Sequence, residues 1–174
     1  MNKINIDNII FGDSSNNFYP IKNKRSNKNI KFKLKKVFLP FGLDEEYNNY
    51  YLKFELDEHN LEHIEFKNTI TLLEKKIIND FKCSEIEFKN IIKKRENKKD
   101  LLACRIKKFK SNISINITYE NKENNYLKTI YDINKNIYTD IDIEINSLWD
   151  FRNSSKDENN IGLIIYISKI HVYE

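Results

Sequence analysis

The C-terminal stretch Thr139–Glu174, TDIDIEINSLWDFRNSSKDENNIGLIIYISKIHVYE, decides the fold class. From Ile141 to Ile145, isoleucine alternates with acidic residues, and this period of two predicts a strand with one buried face. From Ile161 to Tyr173 both faces are apolar, which is typical of a strand at the centre of a sheet or inside a small barrel. The stretch therefore predicts a β-hairpin, with the only tryptophan, Trp149, at the end of its first strand.

Length and composition predict one folded domain. The chain has 174 residues, of which 40% are hydrophobic and 13% aromatic, enough to build a core. Two cysteines, Cys83 and Cys104, are too few for a disulfide scaffold and indicate a reducing compartment. Because no apolar run approaches the ~18 residues of a membrane span, and no signal peptide is visible, we expect a soluble intracellular protein without membrane contact.

The remaining pattern predicts an α+β arrangement over residues 30–174, preceded by a flexible, polar and basic N-terminal arm over residues 1–29. Apolar periodicity after Asn60 predicts a helix of about twenty residues, and Ser84 with Glu87 forms a capping box for a shorter second helix. Alternating residues predict further strands: 30–39, 50–56, 101–109, 111–119 and 126–132.

Basic residues are concentrated in two segments. Eight lie between Lys22 and Lys36 with no acidic residue among them, and ten lie between Lys89 and Lys110 with two acidic ones. Although the formal net charge is only +4, such segregation can create a surface of one sign that attracts a polyanion. The alternative is a solvated lysine-rich surface, since the abundance of Asn, Lys and Ile is typical of AT-rich coding sequence.

Short motifs follow one another in a recognisable order: Leu39-Pro40-Phe41-Gly42-Leu43 after a basic strand, Tyr131-Asp132, Leu148-Trp149, Gly162 and Val172-Tyr173. Together they resemble a family of small proteins of nucleocytoplasmic large DNA viruses, the giant viruses. The resemblance covers about residues 30–173. It implies an OB-like β-barrel with inserted amphipathic helices and a C-terminal β-hairpin, similar in architecture to the single-stranded DNA-binding proteins of bacteriophages.

The resemblance also implies a function. It is single-stranded DNA binding without sequence specificity, in viral DNA replication, recombination or repair, with replication proteins as further partners. The expected location is the host cytoplasm, in viral factories, or the nucleus, with packaging in the virion as a further option. The sequence leaves the oligomeric state open, a homodimer included.

Binding a single strand requires cations for the phosphates and exposed rings for the bases. On the first basic strand the candidates are Lys31, Lys33 and Lys35, and on the second they are Arg105, Lys107, Lys108, Phe109 and Lys110. The candidate rings are Tyr119, Tyr126, Tyr131, Trp149 and Tyr166. For each ring packing in the core is at least an equal alternative, and for Trp149 it is the preferred one. Arg152, in the hairpin loop, is a further candidate ligand.

Other classes of function have weaker support. The segment from His59 to His63 matches the H-x-x-E-H pattern of zinc proteases, in which the two histidines bind zinc and the glutamate, here Glu62, activates water. The chain is short for that class, however, and rich in Glu. With three glycines in total, a phosphate-cradling loop is nearly excluded. We therefore expect no catalysis, cofactor or metal. The alternative from another class is a structural virion protein or assembly adaptor, tied to a partner by residues 1–29.

Overall fold

The computed structural model describes residues 4–46, 49–109, 112–113, 115–119, 130–153 and 160–173. These residues form a mostly β structure with one α-helix, α1 (Leu61–Asp80). The strands are β1 (Ile9–Phe11), β2 (Phe18–Asn23), β3 (Ile30–Leu39), β4 (Asp44–Glu46), β5 (Asn49–Glu55), β6 (Phe88–Lys89), β7 (Ile92–Lys93), β8 (Leu101–Ile106), β9 (Lys108–Phe109), β10 (Asn112–Ile113), β11 (Asn116–Tyr119), β12 (Ile137–Asp150) and β13 (Ile161–Val172).

The predicted C-terminal hairpin is confirmed. Strands β12 and β13 pair antiparallel from Thr139↔Val172 to Asp150↔Ile161. Further pairings run from β12 to β3, then to β5, β8 and back to β13, so hydrogen bonding closes a ring of five strands. Inside this ring lie the alternate apolar residues that the sequence pattern assigns to the buried face, among them the fully buried Ile143, Ile145 and Ile167.

Helix α1 covers part of the core and confirms the first predicted helix. Asn60 caps it, because the side-chain oxygen accepts hydrogen bonds from the backbone N–H of Glu62 (2.9 Å) and of His63 (3.4 Å). On its buried side Phe66 meets Phe32 of β3 edge to face, with ring centroids 5.1 Å apart. The helix therefore fixes the position of β3.

The second predicted helix is wrong. The capping box forms, since Ser84 N–H and Oγ both donate to the Glu87 carboxylate at 2.7 and 2.8 Å, but it closes only one turn. Phe88 then pairs with Ile161 of β13, and Ile92 pairs with Leu102 of β8. Phe88 and Ile92 of this segment thus belong to strands β6 and β7, because β13 and β8 pair with each other only at Tyr166–Ile167 and Arg105–Ile106 and leave other stretches free to pair.

Part of the predicted N-terminal arm belongs to the sheet, which differs from the expectation of a flexible segment over residues 1–29. Strand β2 pairs with β12 through Tyr19↔Leu148 and its neighbours, and β1 pairs with β2. Ile9 and Ile21 are buried in the core, at 2% and 0% exposure. Burial of such isolated apolar residues outweighs the polar composition around them.

The predicted strands after Leu101 are shorter in the structure. Strand β8 ends at Ile106, and the short β9–β10 pair and β11 follow within the predicted segments 101–109 and 111–119. Strand β11 lies parallel to β13. Of the predicted strand 126–132, Ile130–Asp132 is instead a 3-10 helix, and the rest lies outside the described residues.

Candidate nucleic-acid interface

A row of paired side chains crosses the outer face of the ring, the face turned away from the core. Residues paired across neighbouring strands point to the same side of a sheet. The register therefore places on one face the residues that we call the arginine row: Tyr51, Arg105, Tyr166, Glu144 and Lys31. Leu52 and Cys104, the next pair along β5 and β8, point inward and are fully buried.

Arg105 stands out in this row because it has no acidic partner among the residues that the structure describes. Its guanidinium lies 5.9 Å from the ring centroid of Tyr51, within the range of a cation–π contact. Its Nε is buried and makes no hydrogen bond, and no described residue forms an ion pair with it. Asp44 of β4, the register partner of Tyr51, forms an ion pair with Lys53. A half-buried guanidinium between two tyrosines can therefore accept an external anion.

The lysines of β3 lie in a different electrostatic setting. Lys31 Nζ is 3.4 Å from the Glu144 carboxylate, which also accepts a hydrogen bond from Asn29 Nδ2 at 2.5 Å. Lys33 is paired in register with Asp142 of β12. Lys35 Nζ is 4.0 Å from Glu62 of α1. The predicted basic strip on β3 thus faces acidic side chains on its neighbours.

The two predicted basic strips are not continuous. Lys31 and Arg105 share the outer face but, along the row that runs through β12 and β13, are separated by three strand spacings, roughly 14 Å at ~4.8 Å per strand. Glu144 and Asp142 of β12 lie between them. A polyanion that crossed from one strip to the other would pass over these carboxylates.

Trp149 belongs to a second row of residues on the same face. Its indole covers Gly162 so closely that an added Cβ would be 2.9 Å from Cζ2, so only glycine fits beneath it. Its ring centroid is 6.0 Å from that of Phe151, which meets Phe18 at 5.7 Å. Trp149 is half-buried, so it packs against the sheet and still presents part of its ring.

Arg152 forms structural contacts. Its Nε and Nη2 donate to the two carboxylate oxygens of Asp150 at 3.0 and 2.8 Å, and its Nη1 donates to the Phe81 carbonyl at the end of α1 at 3.1 Å. The hydrogen bonds from this guanidinium lower the pKa of Asp150 below its usual value. Arg152 therefore ties the hairpin to the helix C-terminus.

The other predicted ligands lie outside the arginine row or outside the residues that the structure describes. Lys107 is exposed directly after β8. Short strands contain Lys108, Phe109 and Tyr119, but the structure does not describe their side chains. Two further candidates, Lys110 and Tyr126, lie outside the described residues. Tyr131 is 62% exposed and meets Tyr50 at 5.7 Å, at the end of β5 away from Glu55.

His63, the second histidine of the zinc-protease pattern, forms structural hydrogen bonds. His63 is 1% exposed; its Nδ1 accepts a hydrogen bond from the Asp57 N–H at 2.9 Å, and its Nε2 lies 2.8 Å from the Lys35 carbonyl oxygen. Burial lowers the pKa of this imidazole, which favours the neutral ring. Since both nitrogens are engaged by backbone, His63 links α1 to β3. Within the described ranges, no three His, Cys, Asp or Glu residues are grouped to hold a metal.

Three residues of this face were missed from the sequence: Tyr51, Phe18 and Lys89. For Tyr51 a signal existed, because it alternates with the inward residues Leu52 and Phe54 and so belongs to the polar face of its strand. Phe18 fell within the presumed arm and Lys89 within the presumed second helix. Only the pairings of β2 and β6 with the hairpin bring them to this face.

The chain is similar to a known protein in fold but not in sequence. The structure is similar to the crystal structure of gp2.5, a single-stranded DNA binding protein encoded by bacteriophage T7, with a TM-score of 0.58 and 6% sequence identity. The likeness covers 84% of this chain and 87% of that chain. No protein-family model and no curated protein matches the sequence. The part of the chain that the structure describes has no helix long and apolar enough to cross a membrane. The mostly β structure of the described residues is thus similar in fold to a phage single-stranded DNA-binding protein.

Proposed function

We propose that this protein binds single-stranded DNA without sequence specificity, using the outer face around Arg105. The observation that carries the proposal is the arrangement of Tyr51, Arg105 and Tyr166 in one row, with a guanidinium that no described residue neutralises. Rings and cations in alternation are the combination that nonspecific single-strand binding requires, because every base offers a π-face and every nucleotide a phosphate. The role needs no catalytic group.

The fold supports the same proposal. The closed ring of five strands is what an OB-like barrel requires, and gp2.5 of similar fold is a single-stranded DNA binding protein. The kinship with giant-virus proteins, the role in viral replication, recombination or repair, and the recruitment of replication proteins are part of this proposal and rest on the sequence motifs.

A fluorescence-anisotropy titration with labelled oligo-dT at several salt concentrations tests the proposal, with duplex DNA of the same length as control. We expect binding to the single strand in preference to the duplex. Its affinity should fall with salt, with a slope of about −0.7 per phosphate neutralised. No binding, equal affinity for the duplex, or an affinity insensitive to salt would each refute the proposed function.

A further inference from the structure

A second row of side chains crosses the outer face beside the arginine row. The register pairs Phe18 of β2 with Trp149, Trp149 with Gly162, and Gly162 with Lys89 of β6. We call these four residues the tryptophan row. Phe18 is 36% exposed, and Lys89 is exposed without an ion pair to any described residue. The row therefore combines aromatic rings with a cation, as Tyr51, Arg105 and Tyr166 do in the arginine row.

The two rows are joined by β13. Gly162 belongs to the tryptophan row and Tyr166 to the arginine row, and both lie on the outer face of β13. The residues that alternate with them, Ile161, Leu163 and Ile165, point into the core. Four residues along a strand span roughly 13 Å at ~3.3 Å per residue. Ile164, half-buried between them, offers an apolar surface without charge.

We propose that the tryptophan row is a second nucleotide-binding site, and that the bound single strand runs along β13 from one row to the other. This rests on the proposed function. Bases stack on Phe18 and the accessible part of Trp149 in one row and on Tyr166 in the other. Lys89 and Arg105 contact phosphates.

The charges of the neighbouring strands favour this direction over a path across the sheet. Along β13 a strand of DNA meets Lys89 at one end and Arg105 at the other. Glu144 borders this path at Tyr166, but a path across the sheet would have to pass directly over Glu144 and beside Asp142 of β12 before it reached the lysines of β3. Repulsion by these carboxylates opposes the second path.

The position of Trp149 makes the proposal directly measurable, because it is the only tryptophan of the chain. Stacking of a base on the indole quenches its emission, whereas binding confined to the arginine row leaves that emission unchanged. Two readouts on one sample separate the cases: anisotropy of a labelled oligonucleotide reports binding anywhere, and tryptophan emission reports the second row.

We expect an oligo-dT of about 12 residues, within the ~4–16 nucleotides usual for such folds, to quench Trp149 in step with the anisotropy change. A dinucleotide, too short to join the rows, should produce less quenching at equal occupancy. Phe18→Leu and Lys89→Gln should each weaken binding of the longer oligonucleotide at least about threefold. The matched control is Lys93→Gln, another exposed lysine of the same basic segment outside both rows, which should leave affinity unchanged.

The outcomes distinguish this inference from the proposed function. Binding seen by anisotropy with unchanged tryptophan emission, or with equal effects of Lys89→Gln and Lys93→Gln, would overturn the second site and leave single-strand binding intact. Absence of any binding by the unmodified protein would overturn both. Circular dichroism of each variant identifies loss of folding, and if Phe18→Leu unfolds, Lys89→Gln decides because its side chain is exposed.

Discussion

Strands β3 and β8 both present basic side chains on the outer face, but their neighbours give those charges different surroundings. Lys31 lies beside Glu144 across a strand boundary, whereas Arg105 lies between Tyr51 and Tyr166. A cation that is already paired with a carboxylate gains little from binding a phosphate, because the new contact replaces an existing one. The density of basic residues in a segment is therefore a weaker guide to a polyanion site than the residue across the strand.

The largest expected effect comes from Arg105→Gln, which keeps much of the side chain and removes the charge. A hydrogen bond to a charged group is worth about 1.5–3 kcal/mol, so affinity for oligo-dT should fall roughly tenfold to a hundredfold. The slope of affinity against salt should become shallower by about 0.7. Anisotropy titrations at several salt concentrations measure both quantities.

Lys33→Gln is the matched control for that variant, since Lys33 is paired in register with Asp142 on the same face. Its affinity should stay within about twofold of the unmodified protein. Equal losses in the two variants would mean that a lysine opposite a carboxylate and an arginine between two tyrosines contribute alike, and the contrast between β3 and β8 would then be wrong.

Arg152→Gln tests a cation whose structural partners are known. Loss of the paired contact with Asp150 and of the bond to the Phe81 carbonyl should lower the free energy of unfolding by about 1–3 kcal/mol, measured by urea denaturation. The affinity of the folded variant for oligo-dT should change less than about twofold. An unchanged stability together with weaker binding would make Arg152 a DNA ligand instead.

Glu74 is a half-buried carboxylate of α1 whose Oε1 has no hydrogen-bond partner. Burial raises its pKa from 4.5 to about 7, against the opposing effect of a hydrogen bond from the Ile91 backbone. The raised pKa means that its contribution to stability is fully present below pH 4.5 and is lost as the pH rises through 7. Glu74→Gln should therefore raise Tm at pH 8, by roughly 2–4 °C, and should give no gain below pH 4.5.

Thermal denaturation of both proteins across this pH range measures the effect. A gain of the same size at pH 4.5 and pH 8 would assign it to packing rather than to ionisation. Affinity for DNA should not change, because Glu74 lies on α1 and outside both rows. The contrast with Arg105 is one of position: each group has one buried polar atom without a hydrogen-bond partner, Glu74 Oε1 and Arg105 Nε, but only the arginine faces outward beside rings.

The elements that the sequence predicted well are those whose pattern is local. Alternation over Ile141–Ile145 and the apolar run from Ile161 define the hairpin, and Asn60 with its following apolar residues defines α1. The segment after Ser84 was misjudged because its capping box is also local, while its strand pairing with β13 is not. Residues 9–23 were misjudged for the same reason, since their low apolar content conceals a pairing with distant β12.

For the candidate site, too, local patterns were predictable from the sequence and pairings between distant strands were not. Residue type and position in or beside a predicted strand were enough to identify three candidates, Arg105, Trp149 and Tyr166. The separation of the lysine-rich β3 from Arg105, and the acidic residues between them, depend on which strands are neighbours. That neighbour relation joins β3 to β12 across more than a hundred residues of chain, as in the 115-residue separation of Asn29 and Glu144, and a single sequence does not encode it as a local pattern.

The smallest expected effect, from Glu144→Gln, is the most direct examination of the contrast between β3 and β8. If the Glu144 carboxylate keeps Lys31 from binding a phosphate, the substitution should free this lysine and raise affinity for oligo-dT about threefold. The slope of affinity against salt should become steeper by at most about 0.7. Glutamine still accepts the hydrogen bond from Asn29, so the strand pairing is retained. Lys31→Gln in the same background should abolish the gain, because the released charge is then absent. A gain that persists in the double variant would instead assign the effect of Glu144 to its own repulsion of the phosphates passing Tyr166, its neighbour in the arginine row.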